Sequence, residues 1–268
     1  YADGPLPTIN IFIYNNFIMK VIATGLTGHL GGILKVSNNL IYYDVPKESS
    51  RDSKFMKFNL NSIELKDDYF IHAAWDLNAR TKESCEEINV KGSLDLIQEL
   101  ENLEYDFKKF IFISTINADE RSESVYEKCK FRVEEIVLSK GGYVIKPGII
   151  FDSSEPFASG FIKNLYDLAL GYPILPNFSG EKKLYYLTSS VKLNETINKI
   201  VKNELPQQSK LKIYDLGPLN YKELVNDFMD LNKKVINLPW ISGYIISKFF
   251  EILNINFPIK SDSLLALR

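Results

Sequence analysis

The chain is poor in the residues that staple, ligate or anchor. Its 268 residues include two cysteines, Cys85 and Cys129, and two histidines, His29 and His72. Two cysteines cannot build a disulfide framework, and their scarcity fits a reducing, cytoplasmic setting. No Cys or His pair has metal-ligand spacing, so no metal site is expected. An excess of one charge is missing too, with 32 Lys and Arg against 34 Asp and Glu. The lysines are scattered rather than striped, which argues against nucleic acid as a partner. Long apolar runs are also absent. The most apolar stretch, Pro239 to Pro258, is broken by Lys248, Glu251, Asn254 and Asn256. That suits a packed amphipathic helix and argues against a membrane span. There is no internal repeat and no low-complexity tract. Residues 1–18 hold an apolar patch, Ile11-Phe-Ile-Tyr, but neither a basic leader nor a small-residue cleavage site. They read as an upstream extension or expression remnant before Met19 rather than a signal peptide. The alternative is an extra edge strand over Ile9–Tyr14.

What is present is an ordinary globular composition, 45% hydrophobic and 25% charged, with strand-like and helix-like segments in alternation. Lys20–Thr24 reads as a strand, Leu30–Val36 as a short helix and Leu40–Asp44 as a second strand. Phe55–Leu60 and Tyr69–Trp75 read as further strands, and Ser84–Leu103 as a helix. Phe110–Ser114 is a strand, and Glu123–Ser139 a helix stopped by Gly141-Gly142. Tyr143–Ile150 is a strand. Beyond it the pattern loosens. Gly171-Tyr-Pro-Ile-Leu-Pro is a loop or turn, Val191–Asn203 and Tyr221–Leu231 are helices, and Leu211–Leu216 is a strand. Such alternation predicts an α/β fold, a parallel sheet with helices on both faces. A boundary falls near Asp152.

The most informative segment joins the first strand to the first helix. Thr24-Gly-Leu-Thr-Gly-His-Leu-Gly31 carries glycines at 25, 28 and 31, each three residues apart. Glycine lets the backbone turn tightly and approach a pyrophosphate, and the helix N-terminus then faces the anion. A second constellation is Tyr126 and Lys130, one turn apart on one helix face. By itself the spacing describes a surface pair. Here it follows a buried strand ending in Ser114-Thr115, whose hydroxyls stand at a carboxyl strand end, where ligands bind. An ammonium beside a tyrosine favours the phenolate and lowers its pKa toward general-base range. Asp44, closing the second strand, suits a ribose and favours NAD over NADP; Lys47 and Arg51 nearby keep NADP open. His29 reads as a side chain on the glycine turn rather than a base. His72 reads as a strand residue beside the cleft, and Cys129 as helix packing. Trp75 and Asp76 follow a strand end at the cleft.

Together these motifs resemble the extended short-chain dehydrogenase/reductase family, in particular its NAD-dependent sugar-nucleotide epimerase/dehydratase branch. The TGxxGxxG turn matches Thr24 to Gly31, the small pair after a histidine matches Ile71-His-Ala-Ala74, and Asn89-Val-Lys-Gly-Ser93 matches a helix motif. Thr115, Tyr126 and Lys130 match the catalytic set, and Lys146-Pro-Gly148 matches the segment after the next strand. The resemblance covers Met19 to about Asp152 well and the remainder loosely. It implies a Rossmann-type doubly wound domain over 19–152 and a small C-terminal substrate lobe over 153–268. It implies that Gly25, Thr27, Gly28, His29, Leu30 and Gly31 hold the dinucleotide phosphates. Asp44, Asn59 and Leu60 would lie at the adenosine, Ala73, Ala74 and Asn89 along the cofactor, and Tyr126, Lys130 and Pro147 at the nicotinamide end. Tyr126 would move a proton as hydride passes to the nicotinamide, Lys130 would tune it and hold the ribose, and Thr115, with Ser114 as alternative, would orient the substrate oxygen. The expected substrate is a nucleotide-linked sugar, and the expected assembly a homodimer through the helices Ser84–Leu103 and Tyr126–Ser139. The chain departs from the pattern in its short first helix, in Asn59 where the family has an aspartate, and in Thr188-Ser-Ser190 where an aspartate is usual. A cofactor-binding sensor or assembly subunit without turnover, or a reductase of a non-sugar carbonyl, is the alternative.

Overall fold

In a computed structural model of the chain, residues 19–35, 40–45, 60, 65, 68–79, 81–180 and 182–252 are described. Residues 1–18, most of the expected strand Phe55–Leu60, and Lys47, Arg51 and Asn59 lie outside them.

The strands are β1 (Met19–Thr24), β2 (Leu40–Asp44), β3 (Tyr69–His72), β4 (Phe110–Ile113), β5 (Tyr143–Pro147), β6 (Ile149–Phe151), β7 (Ile174–Asn177), β8 (Tyr185–Ser189), β9 (Lys210–Ile213), β10 (Leu216–Leu219) and β11 (Lys234–Asn237). The helices are α1 (His29–Lys35), α2 (Lys82–Ser84), α3 (Lys91–Asn102), α4 (Val125–Ser139), α5 (Gly160–Gly171), α6 (Ser190–Val201), α7 (Tyr221–Glu223) and α8 (Trp240–Ile252). A π-helical turn, Cys85–Val90, joins α2 to α3, and a second, Leu224–Phe228, follows α7.

Six strands form one sheet in the order β2-β1-β3-β4-β5-β9, parallel throughout. The central strands are apolar along their whole length because helices cover both faces. Alternate residues serve opposite cores. Ile22, Phe70, Phe110, Phe112 and Val144 face a cluster with Leu96, Leu100, Val133 and Val137 from α3 and α4. Val21, Ile71, Ile111, Ile113 and Ile145 face Leu34, Leu193, Ile197 and Ile200 from α1 and α6. Local signals set the helix ends. The Ser124 hydroxyl accepts from the Glu127 N–H at the start of α4, and Gly141 ends that helix with φ +88°.

The second half departs from its sequence pattern in four places. The expected strand Tyr143–Ile150 divides at Gly148 into β5 and β6, because a Cβ at Gly148 would fall 2.2 Å from the Tyr186 carbonyl oxygen. The expected strand Leu211–Leu216 likewise divides at Tyr214-Asp215 into β9 and β10. There the Asp215 carboxylate accepts from the Ser189 N–H at 2.9 Å while the chain passes to the smaller sheet, β10-β8-β6. The expected loop at Gly171–Pro176 contains β7, which pairs in parallel with β11. The expected helix Tyr221–Leu231 is α7 with its π turn, closed by Asp230 at φ 53°. These elements share a third core built on Phe151, Ile162, Leu175, Leu187 and Leu224. Beyond Asp152, α6 packs on the large sheet and β9 forms its edge beside β5.

Candidate active site

Chain order reverses between β1 and β3: β2 lies on one side of β1 and β3 on the other. Such a switch point opens a crevice at the carboxyl ends of the strands, and the glycine turn sits in it. Gly25 has φ +83°, and a Cβ there would fall 2.6 Å from the Ala74 backbone nitrogen. A Cβ on Gly31 would fall 2.3 Å from the Leu26 backbone. Both glycines are therefore required by the fold itself. Gly28 differs. It is exposed, and its Cβ would meet only the Gly25 carbonyl oxygen at 3.5 Å. The middle glycine leaves open space beside the start of α1, where an anion finds free N–H groups. The turn thus fits a pyrophosphate. Thr27 is exposed at its tip, and Leu30 packs against the α1 and α6 core. His29 is exposed, and its ring lies against Gly160, the first residue of α5. Asp44 is exposed at the carboxyl end of β2, in register with Ala23. Leu60 is buried among Phe70 and the α3 core.

Behind the turn runs a buried polar chain. The Ala74 N–H donates to Thr24 Oγ1 at 3.3 Å, and Thr24 Oγ1 lies 2.7 Å from His72 Nδ1. His72 Nε2 lies 2.9 Å from Ser93 Oγ, and the Ser93 hydroxyl donates to the Asn89 carbonyl at 2.7 Å. Ser93 has one proton to give, so it accepts from Nε2–H, and Thr24 donates to a neutral ring at Nδ1. Asn89 then holds both sides of Asp76: its Oδ1 accepts from the Asp76 N–H at 2.7 Å and its Nδ2 donates to the Asp76 carbonyl at 3.0 Å. Asn89 therefore positions the backbone of residues 73–76 rather than presenting its amide to solvent. Burial, and then the Lys130 charge, lowers the His72 pKa from 6.5 to about 3. The unfolded chain protonates this ring near 6.5 and the folded chain does not. Its contribution to stability is thus complete above pH 6.5 and is lost as pH falls toward 3. In that window the slope is about 1.4 kcal/mol per pH unit. Urea midpoints of wild type and His72→Gln between pH 7 and 4 check this, and equal slopes in both would refute it.

Thr115 follows β4 and is half-buried, with no hydrogen-bond partner for its hydroxyl among the described residues. The Ser114 hydroxyl instead donates to Glu134 Oε1 at 2.5 Å. The Ile116 N–H donates to the Pro147 carbonyl at 2.7 Å, tying this loop to β5. Tyr126 and Lys130 share a face of α4, but Trp75 stands against both. Its ring meets Tyr126 edge-on at 6.2 Å, and the Lys130 ammonium lies over the indole 4.0 Å from its centroid. Lys130 also donates to the Ile113 carbonyl at 2.8 Å and lies 4.7 Å from the Phe112 ring centroid. Burial lowers its pKa from 10.5 to about 7, although Glu134 and Cys85 act in the opposite sense. Tyr126 departs from the expected direction. Burial first, then Glu127 and Cys85, raise its pKa above the usual phenol value, so the ligand-free protein holds it protonated. Sequence reasoning gave Trp75 no role at Lys130 and missed Glu134. The signal for Glu134 was a carboxylate beside Val133 and one turn before the level of Val137, on a buried face. Among the described residues no His, Cys, Asp and Glu cluster suits a metal ion, and no helix is long and apolar enough to cross a membrane.

No family model matches the sequence, and no curated protein matches it. Solved structures do match. The heptose epimerase (ADP-L-glycero-D-manno-heptose-6-epimerase) of Helicobacter pylori aligns with TM-score 0.60 and 16% identity over 85% of this chain and 87% of that one. RMD from Pseudomonas aeruginosa, complexed with NADPH, aligns with TM-score 0.59 and 14% identity over 82% and 87%. UDP-N-acetylglucosamine 4-epimerase from Bacillus cereus aligns with TM-score 0.56 and 14% identity over 92% and 97%. The chain has the Rossmann-type α/β fold of these proteins, with its glycine turn at the switch point of a six-stranded parallel sheet.

Proposed function

We propose that this chain is an NAD(P)-dependent enzyme that oxidises or reduces an oxygen-bearing carbon of a nucleotide-linked sugar, as epimerases, dehydratases or reductases do. The observation that carries the reading is the division of labour among the glycines. Gly25 and Gly31 are fixed by backbone contacts, while Gly28 keeps open the space beside α1. A bound dinucleotide supplies the hydride donor or acceptor. The glycine turn and α1 would hold its phosphates, Asp44 the adenosine ribose with a preference for NAD, and Lys130 the other ribose. Thr115 holds the reacting substrate oxygen by a hydrogen bond. Tyr126, kept protonated by burial, gives its proton to a carbonyl oxygen in the reducing direction. In the oxidising direction the phenol must first lose its proton, which positive charge beside it favours. The sugar assignment draws on the epimerases among the structural neighbours and on the family resemblance; the expected homodimer through α3 and α4 draws on the resemblance alone. A dinucleotide-binding protein without turnover is the second reading, favoured by the Trp75 ring covering Lys130.

Gly28→Ala tests the central claim. The new methyl group meets no backbone closer than 3.5 Å, so the thermal midpoint is expected to stay within about 2 °C of wild type, the shift of a surface substitution. Dinucleotide affinity is expected to fall at least about tenfold, ~1.4 kcal/mol. Calorimetric titration with NAD+ and NADP+ reads both the affinity and the cofactor preference. Unchanged affinity in this variant would remove the turn from the binding site.

A further inference from the structure

Lys130 is nearly fully buried, yet its ammonium has one hydrogen-bond acceptor among the described residues, the Ile113 carbonyl. An ammonium carries three donors. Two aromatic faces lie against it, Trp75 at 4.0 Å and Phe112 at 4.7 Å. Phe112 belongs to β4 and is fully buried, so it is fixed. Trp75 is half-buried, and its indole N–H is buried without a hydrogen-bond partner. A buried donor left unpaired is unfavourable; the indole has no polar partner and the ammonium has one where it can take three, among the described residues. The backbone on either side of Trp75 is held. Ala74 N–H is bound to Thr24, and Asp76 is bound on both sides by Asn89. Any rearrangement is therefore confined to the side-chain torsions of Trp75.

We infer that Trp75 is a cover over Lys130, which the sugar hydroxyls of a bound dinucleotide displace. This rests on the proposed dinucleotide site and adds a residue that sets its affinity. Ribose oxygens then give the ammonium the acceptors it lacks, and the indole N–H gains access to a partner. The cation–π contact is lost at that moment, so part of the binding free energy is spent on uncovering the lysine.

The test is a double-mutant cycle on dinucleotide affinity. Trp75→Leu is expected to bind NAD+ about tenfold more tightly than wild type, because no cover remains to be displaced. In the Lys130→Met background the same substitution is expected to have no effect on affinity. Tighter binding of equal size in both backgrounds overturns the cover, as does unchanged or weaker binding in Trp75→Leu alone. A ligand-free readout separates the contact from the ligand. In Trp240→Phe, where Trp75 is the remaining tryptophan, adding Lys130→Met is expected to change indole emission; unchanged emission overturns the contact. Failure of wild type and every variant to bind NAD+ or NADP+ overturns the dinucleotide reading and the cover's role together. Binding without the coupling overturns only the cover.

Discussion

Tyr126→Phe is expected to lower kcat by about 10²- to 10⁴-fold, the usual worth of a positioned proton-transfer group, with dinucleotide affinity unchanged. Few changes at this site separate the two so cleanly. The Tyr126 hydroxyl has no hydrogen-bond partner among the described residues, so its removal leaves no buried group unpaired. The ring, which meets Trp75 edge-on at 6.2 Å, is retained. Stability is therefore expected to stay within about 0.5 kcal/mol of wild type. The pH profile carries further information. Burial, Glu127 and Cys85 raise the Tyr126 pKa, so the phenol keeps its proton throughout the neutral range. Ionisation of Tyr126 should not slow carbonyl reduction there. Steady-state rates with a nucleotide-linked keto sugar, alongside calorimetric titration with NAD(P)H, provide the measurement. Equal kcat in both proteins would exclude Tyr126 as the proton donor. Detectable dinucleotide binding without turnover in wild type would favour the non-catalytic reading.

The parts of this molecule that were legible in the sequence are those in which local chemistry decides structure. The central strands read as apolar runs because both sheet faces are covered. The glycine turn read correctly because Gly25 and Gly31 sit where a side chain meets backbone at 2.6 and 2.3 Å, and no other residue type serves there. The C-terminal end of α4 was legible for the same reason, through Gly141, whereas its start lies two residues beyond the expected Glu123, where Ser124 caps it. What was hidden depends on which sheet a residue joins. Residues 143–150 are apolar on both sides of Lys146-Pro-Gly148, and nothing in that run announces that Gly148 lies under Tyr186 and hands the chain to another sheet. β7 was hidden by prolines: Pro173 before it and Pro176 within it signal a turn, yet each strand of a two-stranded ribbon is an edge strand, where proline is tolerated.

At the site the same distinction holds. The spacing of Tyr126 and Lys130 placed them on one face of α4 without showing what lies between that face and the sheet. Trp75 arrives there from the end of β3, held by Thr24 and Asn89, from two other segments of the chain. The direction of the Tyr126 shift was misjudged because it rests on burial, which a pair spacing does not encode. The Ser114 hydroxyl donates to Glu134, a buried contact that spacing does not encode, and this supports Thr115, the first choice, for the proposed substrate contact.

Glu134 is where the largest loss of stability is expected. Its side chain is fully buried, and Lys146, 3% exposed, approaches it at 2.8 Å. Ser114 donates to one carboxylate oxygen, and Lys210 reaches the other at 3.2 Å from the edge of the sheet. Lys146 also donates to the Ala118 carbonyl at 2.5 Å. The carboxylate therefore ties α4 to β5, to β9 and to the loop that carries Thr115. Glu134→Ala removes the anion and leaves the Lys146 ammonium buried beside a cavity. Removing one partner of a buried ion pair costs about 3–5 kcal/mol, a large share of the stability of an ordinary domain. Replacing both charges tests whether the cost comes from the stranded cation. Glu134→Leu with Lys146→Met is expected to lose less than Glu134→Ala, since apolar pairs of similar volume replace buried ion pairs at little cost. Urea unfolding followed by circular dichroism measures each variant. A double variant as unstable as the single would show that the Ser114 and Ala118 hydrogen bonds, rather than the stranded cation, carry the loss. A Glu134→Ala midpoint equal to wild type would show that the network contributes nothing net.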